Sequence, residues 1–284
     1  MTTAITERAR PGARAAQRKR AGLAGTLRSE LTKMFSVRST YYALALLVLA
    51  AIAWSIADCA GVAHQWPHMP PQARAGLDPT QDSVLGLALL GQLVIVVLGA
   101  LTITSEYSTQ AIRTSLTVMP RRGVLLSAKG LVFGVVATVV AFAASFAAFF
   151  IGQAMLASTH AGSALSGPGV LRAIAASAIV VVLTGLFTYG IGTALRSTAG
   201  TMTAVYGLLF LLPQLGRALP TPWYDDVLRW IPGGQYDGMI SSSGGAGPQL
   251  FPHMFGVWGE VLVLAGYTVA ALALGALVMH RRDA

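Results

Sequence analysis

Six apolar runs dominate the chain, at about 41–58, 83–104, 129–156, 170–193, 200–219 and 256–279. Each is close to the ~20 residues that carry an α-helix across the hydrocarbon core of a bilayer, so the pattern predicts six membrane-spanning helices. The first run opens on Tyr41 and Tyr42, residue types that favour the headgroup level. The fifth is interrupted near its end by Pro213, Arg217 and Pro220. Ahead of the first run, Leu23, Leu27, Leu31, Met34 and Phe35 recur at helical spacing, while Arg28, Glu30, Lys33 and Arg38 fall elsewhere on the wheel. This predicts an amphipathic helix over 23–38, lying on the membrane surface with its basic residues among the headgroups. Residues 1–22, rich in Ala, Arg and Gly and without apolar periodicity, read as a disordered basic tail. The predicted fold class is all-α integral membrane, with one six-span transmembrane domain over 23–284.

Composition supports this assignment. Hydrophobic residues make up 54% of the chain and charged residues only 11%, against about 25% charged in a soluble domain. The net charge of +9 would in a soluble protein raise nucleic-acid binding. Here the positions of the basic residues explain it instead. Nine Lys and Arg lie in the N-terminal region, four between the second and third runs, one between the fourth and fifth, and two at the C-terminus. The opposite side receives only Arg74, Arg172, Arg217 and Arg229. Sixteen against four predicts that both termini lie in the cytoplasm of a multi-pass plasma-membrane protein. Nucleic acid is not an expected partner.

Within the runs, small residues predict close helix packing. Ala137, Ala141, Ala144, Ala148 and Gly152 line one stripe of the third, and the fourth carries Gly185, Gly190 and Gly192. The segments 59–82 and 220–255 between runs are rich in Pro and Gly and too short for independent domains. The second mixes aromatics, Pro and acids, which suits short re-entrant or interfacial helices and equally an ordinary loop.

Little in the sequence supports catalysis. Ionisable side chains are nearly absent from the runs, and Glu260, in GVWGEVLVL, is the clearest. An intramembrane carboxylate is a functional candidate, although this one stands near a boundary where it reaches water. Asp58 reads as the end of the first run. His64 and His68 are spaced i, i+4 but flank Pro67 and lack a carboxylate at ligand spacing, so no metal is expected. The single cysteine, Cys59, excludes an intrachain disulfide. A phosphate-binding loop requires G-x-x-x-x-G-K-[ST], and none of Lys19, Lys33 and Lys129 follows a glycine. The chain is not expected to be an enzyme or to bind a cofactor directly; any ATP and Mg would be held by another subunit.

The stretch SEYSTQAIRTSLTVMPRRGVLLSAK, Ser105 to Lys129, is the longest inward loop that is neither a terminus nor low-complexity. Ile112, Leu116 and Met119 form one apolar stripe suited to pressing into a partner. Glu106 near the start of this short helical pattern favours its positive end, and Pro120 and Gly123 stop it. This stretch, together with LRSELTKMFSVRST before the first run, resembles actinobacterial ABC transporter permeases of the type-2 (exporter) class. The resemblance covers the chain from Leu23 onward. It implies that Glu106, Tyr107, Ser108, Thr109, Ile112, Arg113, Leu116, Pro120, Arg121 and Arg122 form a coupling helix for a cytoplasmic ATPase. It likewise implies an interface helix containing Leu27, Glu30, Leu31, Lys33 and Arg38. Gln110 stands where such permeases often have Gly. Two ATP-binding subunits and a second permease chain, identical or not, are the implied partners, besides membrane lipids. Such a complex moves substrates outward. Ion- or proton-coupled secondary transport is the alternative.

Overall fold

This computed structural model describes residues 23–108, 122–159, 161–216, 230–231, 236–242 and 257–281. Six of its helices are long and apolar enough to cross a membrane, and among the described residues there is no strand. A first helix, α1 (Leu23–Ser36), is followed by the first span, α2 (Arg38–Gln65). After the short α3 (Pro71–Ala75), the second span runs on as one helix, α4, through Pro79–Gly86, a π turn at Leu87–Gly91, and Gln92–Ser108. The third span is α5 (Arg122–Leu156) and the fourth α6 (Val170–Leu195). The fifth, α7, comprises Thr198–Tyr206, a π turn at Gly207–Leu211, and Leu212–Gly216. A short α8 (Tyr236–Ile240) precedes the sixth span, α9 (Val257–Arg281). One end of the bundle carries Arg38, Arg122, Arg196 and Arg281 and is called the basic face below; the other is the far face.

Six helices with small boundary shifts match the apolar pattern, and the shifts have physical causes. The first span continues past Asp58 to Gln65, because Cys59 to Gln65 carry no helix breaker before Pro67. The second begins at Pro79 rather than 83. Asp78 accepts hydrogen bonds from Thr80 N (3.2 Å) and Gln81 N (3.1 Å), and Pro79 occupies the first helical position, a standard start signal. In the fifth span Pro213 does not end the helix. Its ring would crowd the carbonyl four residues back, and that residue, Leu209, lies inside the widened π turn. Val37 separates α1 from the first span, so Arg38 begins a span instead of ending the surface helix. Residues 1–22 and most of 220–255 lie outside the described residues.

The fourth span is the central column, touching the second, third, fifth and sixth spans and α8. Without a hydrophobic force between helices in lipid, small residues let backbones approach and gain dispersion contact. A Cβ added at Gly190 would stand 2.6 Å from the Ala271 carbonyl carbon, and one at Gly275 would stand 2.8 Å from the Gly190 carbonyl oxygen. The fourth and sixth spans therefore cross backbone to backbone. The alanine stripe of the third span is buried, and its partner is the first span: Ser55 Oγ donates to the Ala148 carbonyl oxygen at 2.7 Å.

Gly190→Val should lower the thermal unfolding midpoint in detergent sharply, because overpacking typically costs ~1–3 kcal/mol and here meets backbone. Gly266→Ala, where nothing lies within 4 Å, should leave the midpoint unchanged or raise it. Equal midpoints for both variants would show that the crossing is not tight.

Candidate functional site

The segment 109–121 enters from the second span and leaves into the third, and the described residues on either side of it are held by specific contacts. On the entering side, Tyr107 is partly buried and its ring lies under the Arg196 guanidinium, 5.1 Å from the ring centroid. Arg196 caps the fourth span in the left-handed conformation, with φ of 56°. Such a conformation costs a non-glycine residue ~1–2 kcal/mol, and the ring contact offsets part of that. Ser197 then caps the fifth span by accepting from Gly200 N at 3.2 Å. One turn before Tyr107, Thr104 Oγ1 and Thr198 Oγ1 share a hydrogen bond of 2.7 Å. The second span is thus joined to the turn between the fourth and fifth.

On the leaving side, Lys129 Nζ lies 2.8 Å from Glu30 Oε2, and Lys33 Nζ lies 2.6 Å from Glu30 Oε1. Glu30 is only 2% exposed and Lys129 8%. The pair ties α1 to the start of the third span, while Met34 and Phe35 pack on the core beside it. Burial pushes the Glu30 carboxyl up, but the hydrogen bonds and charges of Lys129 and Lys33 outweigh it and hold the group below its ordinary range. Tyr189 Oη donates to the Leu126 carbonyl oxygen at 3.0 Å, fixing the same end of the third span to the fourth.

The residues read from sequence therefore fall into three groups. Tyr107, Glu30 and Lys33 sit in this contact system. Thr109, Ile112, Arg113, Leu116, Pro120 and Arg121 lie outside the described residues, as do the side chains of Glu106, Ser108 and Arg122. Along α1 the wheel needs correction. Glu30 faces the protein and not the headgroups, because two lysines neutralise it there, whereas Leu31 is exposed and Leu27 half-buried.

Two acids and one latch lie toward the far face. Glu260 is buried in the first turn of the sixth span, its Oε1 3.5 Å from where a Cβ on Gly238 of α8 would lie. Asp82 falls inside the second-span helix, and its Oδ2 is buried without a hydrogen-bond partner among the described residues. At the far face, Asp78 accepts from Ser241 Oγ (2.8 Å), Ser242 N (2.6 Å) and Ser242 Oγ (3.0 Å). Arg172 donates to the Ser241 and Ser242 carbonyl oxygens, both at 3.0 Å. Burial raises the Asp78 carboxyl, yet these hydroxyl and N–H donors outweigh it and hold the group below its ordinary value. The Asp-Pro pair at 78–79 was a readable helix start; the long-range serines were not.

Lys129→Met should destabilise the protein by ~3–5 kcal/mol at neutral pH, because it leaves Glu30 buried with less compensation. The sign of the pH effect follows from linkage. In the unaltered chain Glu30 contributes stability above its ordinary value of 4.5, lost as pH falls through its depressed folded value. In the variant, protonating Glu30 removes a poorly compensated charge. The gap between the two unfolding curves should narrow as pH falls through the carboxylate range, and a gap independent of pH would contradict the ion pair. Set beside known proteins, the chain matches no family model and no curated protein.

Proposed function

We propose that this chain is the membrane-spanning subunit of an ATP-binding cassette exporter. It moves a substrate outward across the plasma membrane with ATP hydrolysed by a separate subunit. The basic face is then cytoplasmic, as its excess of Lys and Arg indicates. The observation that carries the reading is the pair of anchors around segment 109–121. Tyr107 is held to Arg196, and Lys129 to Glu30. A load applied to that segment reaches the second and fourth spans through one anchor, and α1 and the third span through the other.

In this mechanism the apolar stripe of Ile112, Leu116 and Met119 docks in the ATPase subunit, and Glu106 accepts from a basic group there. ATP-driven closure of two such subunits shifts two permease chains between arrangements. Coupling exists only where the substrate prefers one of them. ATP and Mg stay on the partner.

Ion- or proton-coupled secondary transport is a second reading, and the buried oxygen of Asp82 favours it, since acids within spans mark ion pathways. Against it, Asp82 lies near the far face, whereas such sites gather at the bilayer midplane.

Glu106→Lys, Ile112→Asp and Leu116→Asp should each cut substrate transport in vesicles at least ~tenfold, the effect of losing about 1.4 kcal/mol of docking. Insertion and folding should persist. Asp82→Asn and Glu260→Gln should retain ATP-dependent transport. Normal transport in the first set would place the docking surface elsewhere, and loss in the second set under saturating ATP would favour ion coupling.

A further inference from the structure

Gln92 is a buried polar group that the contacts described above leave unexplained. It stands midway along the second span, Pro79–Ser105, and is 0% exposed. Neither its Nε2 nor its Oε1 has a hydrogen-bond partner among the described residues. An amide buried in this way loses its bonds to water and gains none in exchange. Gln92 lies two turns before Gly99, on the face that turns to the fourth span. It also directly follows the π turn at Leu87–Gly91, and π turns inside α-helices gather at functional positions.

The extra residue of that turn is confined between two close contacts. On one side, a Cβ at Gly86 would collide with the Trp54 side chain of the first span. On the other, a Cβ at Gly99 would stand 2.7 Å from the Gly185 carbonyl oxygen. Between these contacts the helix must supply the same residues and the same total rotation wherever the π turn sits. The turn can therefore shift along this stretch without disturbing either contact. At about 93–97 it would swing Gln92 by about 100°, the angle of one α-helical residue, into the direction that Leu93 takes now. Leu93 is 39% exposed, and its carbonyl oxygen accepts from Tyr206 Oη of the fifth span at 2.7 Å. The same movement carries that carbonyl away and brings the Gln92 amide to the hydroxyl.

We propose that the π turn of the second span moves between Leu87–Gly91 and the turn after Gln92, and that Tyr206 exchanges the Leu93 carbonyl for the Gln92 side chain as it does so. In the arrangement described here the Leu93 carbonyl is bonded and the amide is not. In the other the Gln92 Oε1 accepts from Tyr206 Oη and leaves the buried face. Leu87, at the start of the turn, rotates least, and Ala88 and Gly91 carry little side chain to repack. The switch is internal to the bundle and does not depend on what the chain transports.

The full chain, with tyrosine carrying carbon-13 at Cζ, would be observed by NMR in nanodiscs, because the Cζ shift follows the hydrogen bond of the hydroxyl. Loss of one resonance in Tyr206→Phe assigns that residue. Tyr206 should give two signals in slow exchange, whereas Tyr189, bonded to the Leu126 carbonyl oxygen, should give one. Gln92→Met keeps the length of the side chain and removes the amide. It should shift the Tyr206 ratio at least ~tenfold toward one signal, the worth of about one hydrogen bond, and Gln92→Leu should do the same. A single Tyr206 signal in the unaltered chain, or a ratio that both variants leave unchanged, would overturn the proposal. An amide that instead bonds the Thr184 hydroxyl of the fourth span, also buried without a partner among the described residues, would produce the first of these results.

Discussion

Two backbone crossings fix the arrangement of the bundle, and the fourth span takes part in both. Near one level Gly185 faces Gly99 of the second span, where an added Cβ at Gly99 would lie 2.7 Å from the Gly185 carbonyl oxygen. A turn further along, Gly190 meets the sixth span at Ala271 and Gly275. A helix in lipid satisfies its own backbone groups, so it can be brought this close without losing hydrogen bonds. Once these crossings are made, the neighbouring spans have little freedom to rotate. The side chains at their ends are then presented at set angles, and the contacts of Tyr107, Thr104 and Tyr189 follow.

The two faces of the molecule are finished in different ways. The basic face uses charge: a buried carboxylate between two ammonium groups and a guanidinium over a ring. Such a pair gains little net stability when whole but costs a great deal when broken, which favours one register of α1 on the third span. At the far face the carboxylate itself is met by neutral donors. Asp78 gathers two hydroxyls and three N–H groups, and Arg172 closes the same knot through carbonyl oxygens. That knot fastens the stretch after α8 over the ends of the second and fourth spans.

The six spans were legible because a bilayer imposes length and apolarity on each segment separately, and that information is local. Span ends were less legible where a polar residue was read as a boundary: Asp58 sits on a helix that continues past it to Gln65. The alanine stripe of the third span was visible, but its partner was not, since spacing names a face and not its neighbour. Glu30 was misplaced for the same reason. A helical wheel records polarity, whereas the position of Glu30 depends on Lys129, far away in sequence, which makes a buried acid tolerable. The latch of Ser241 and Ser242 on Asp78 joins residues too distant in sequence for any periodic pattern to register.

The two π turns set how the two ends of the second and fifth spans are turned relative to each other. Each inserts one residue into an otherwise regular helix, so the stretches on either side are rotated by about 100° relative to an uninterrupted α-helix. Tyr206, at the edge of one π turn, donates to the Leu93 carbonyl oxygen just beyond the other, at 2.7 Å. The second span therefore serves two independent angular demands, Asp78 aimed at the serines on one side of the membrane and Tyr107 under Arg196 on the other. Removing the extra residue would straighten the helix and satisfy only one of them. In mechanical terms the π turn is a phase shifter, setting the angle between what happens at one membrane surface and what happens at the other.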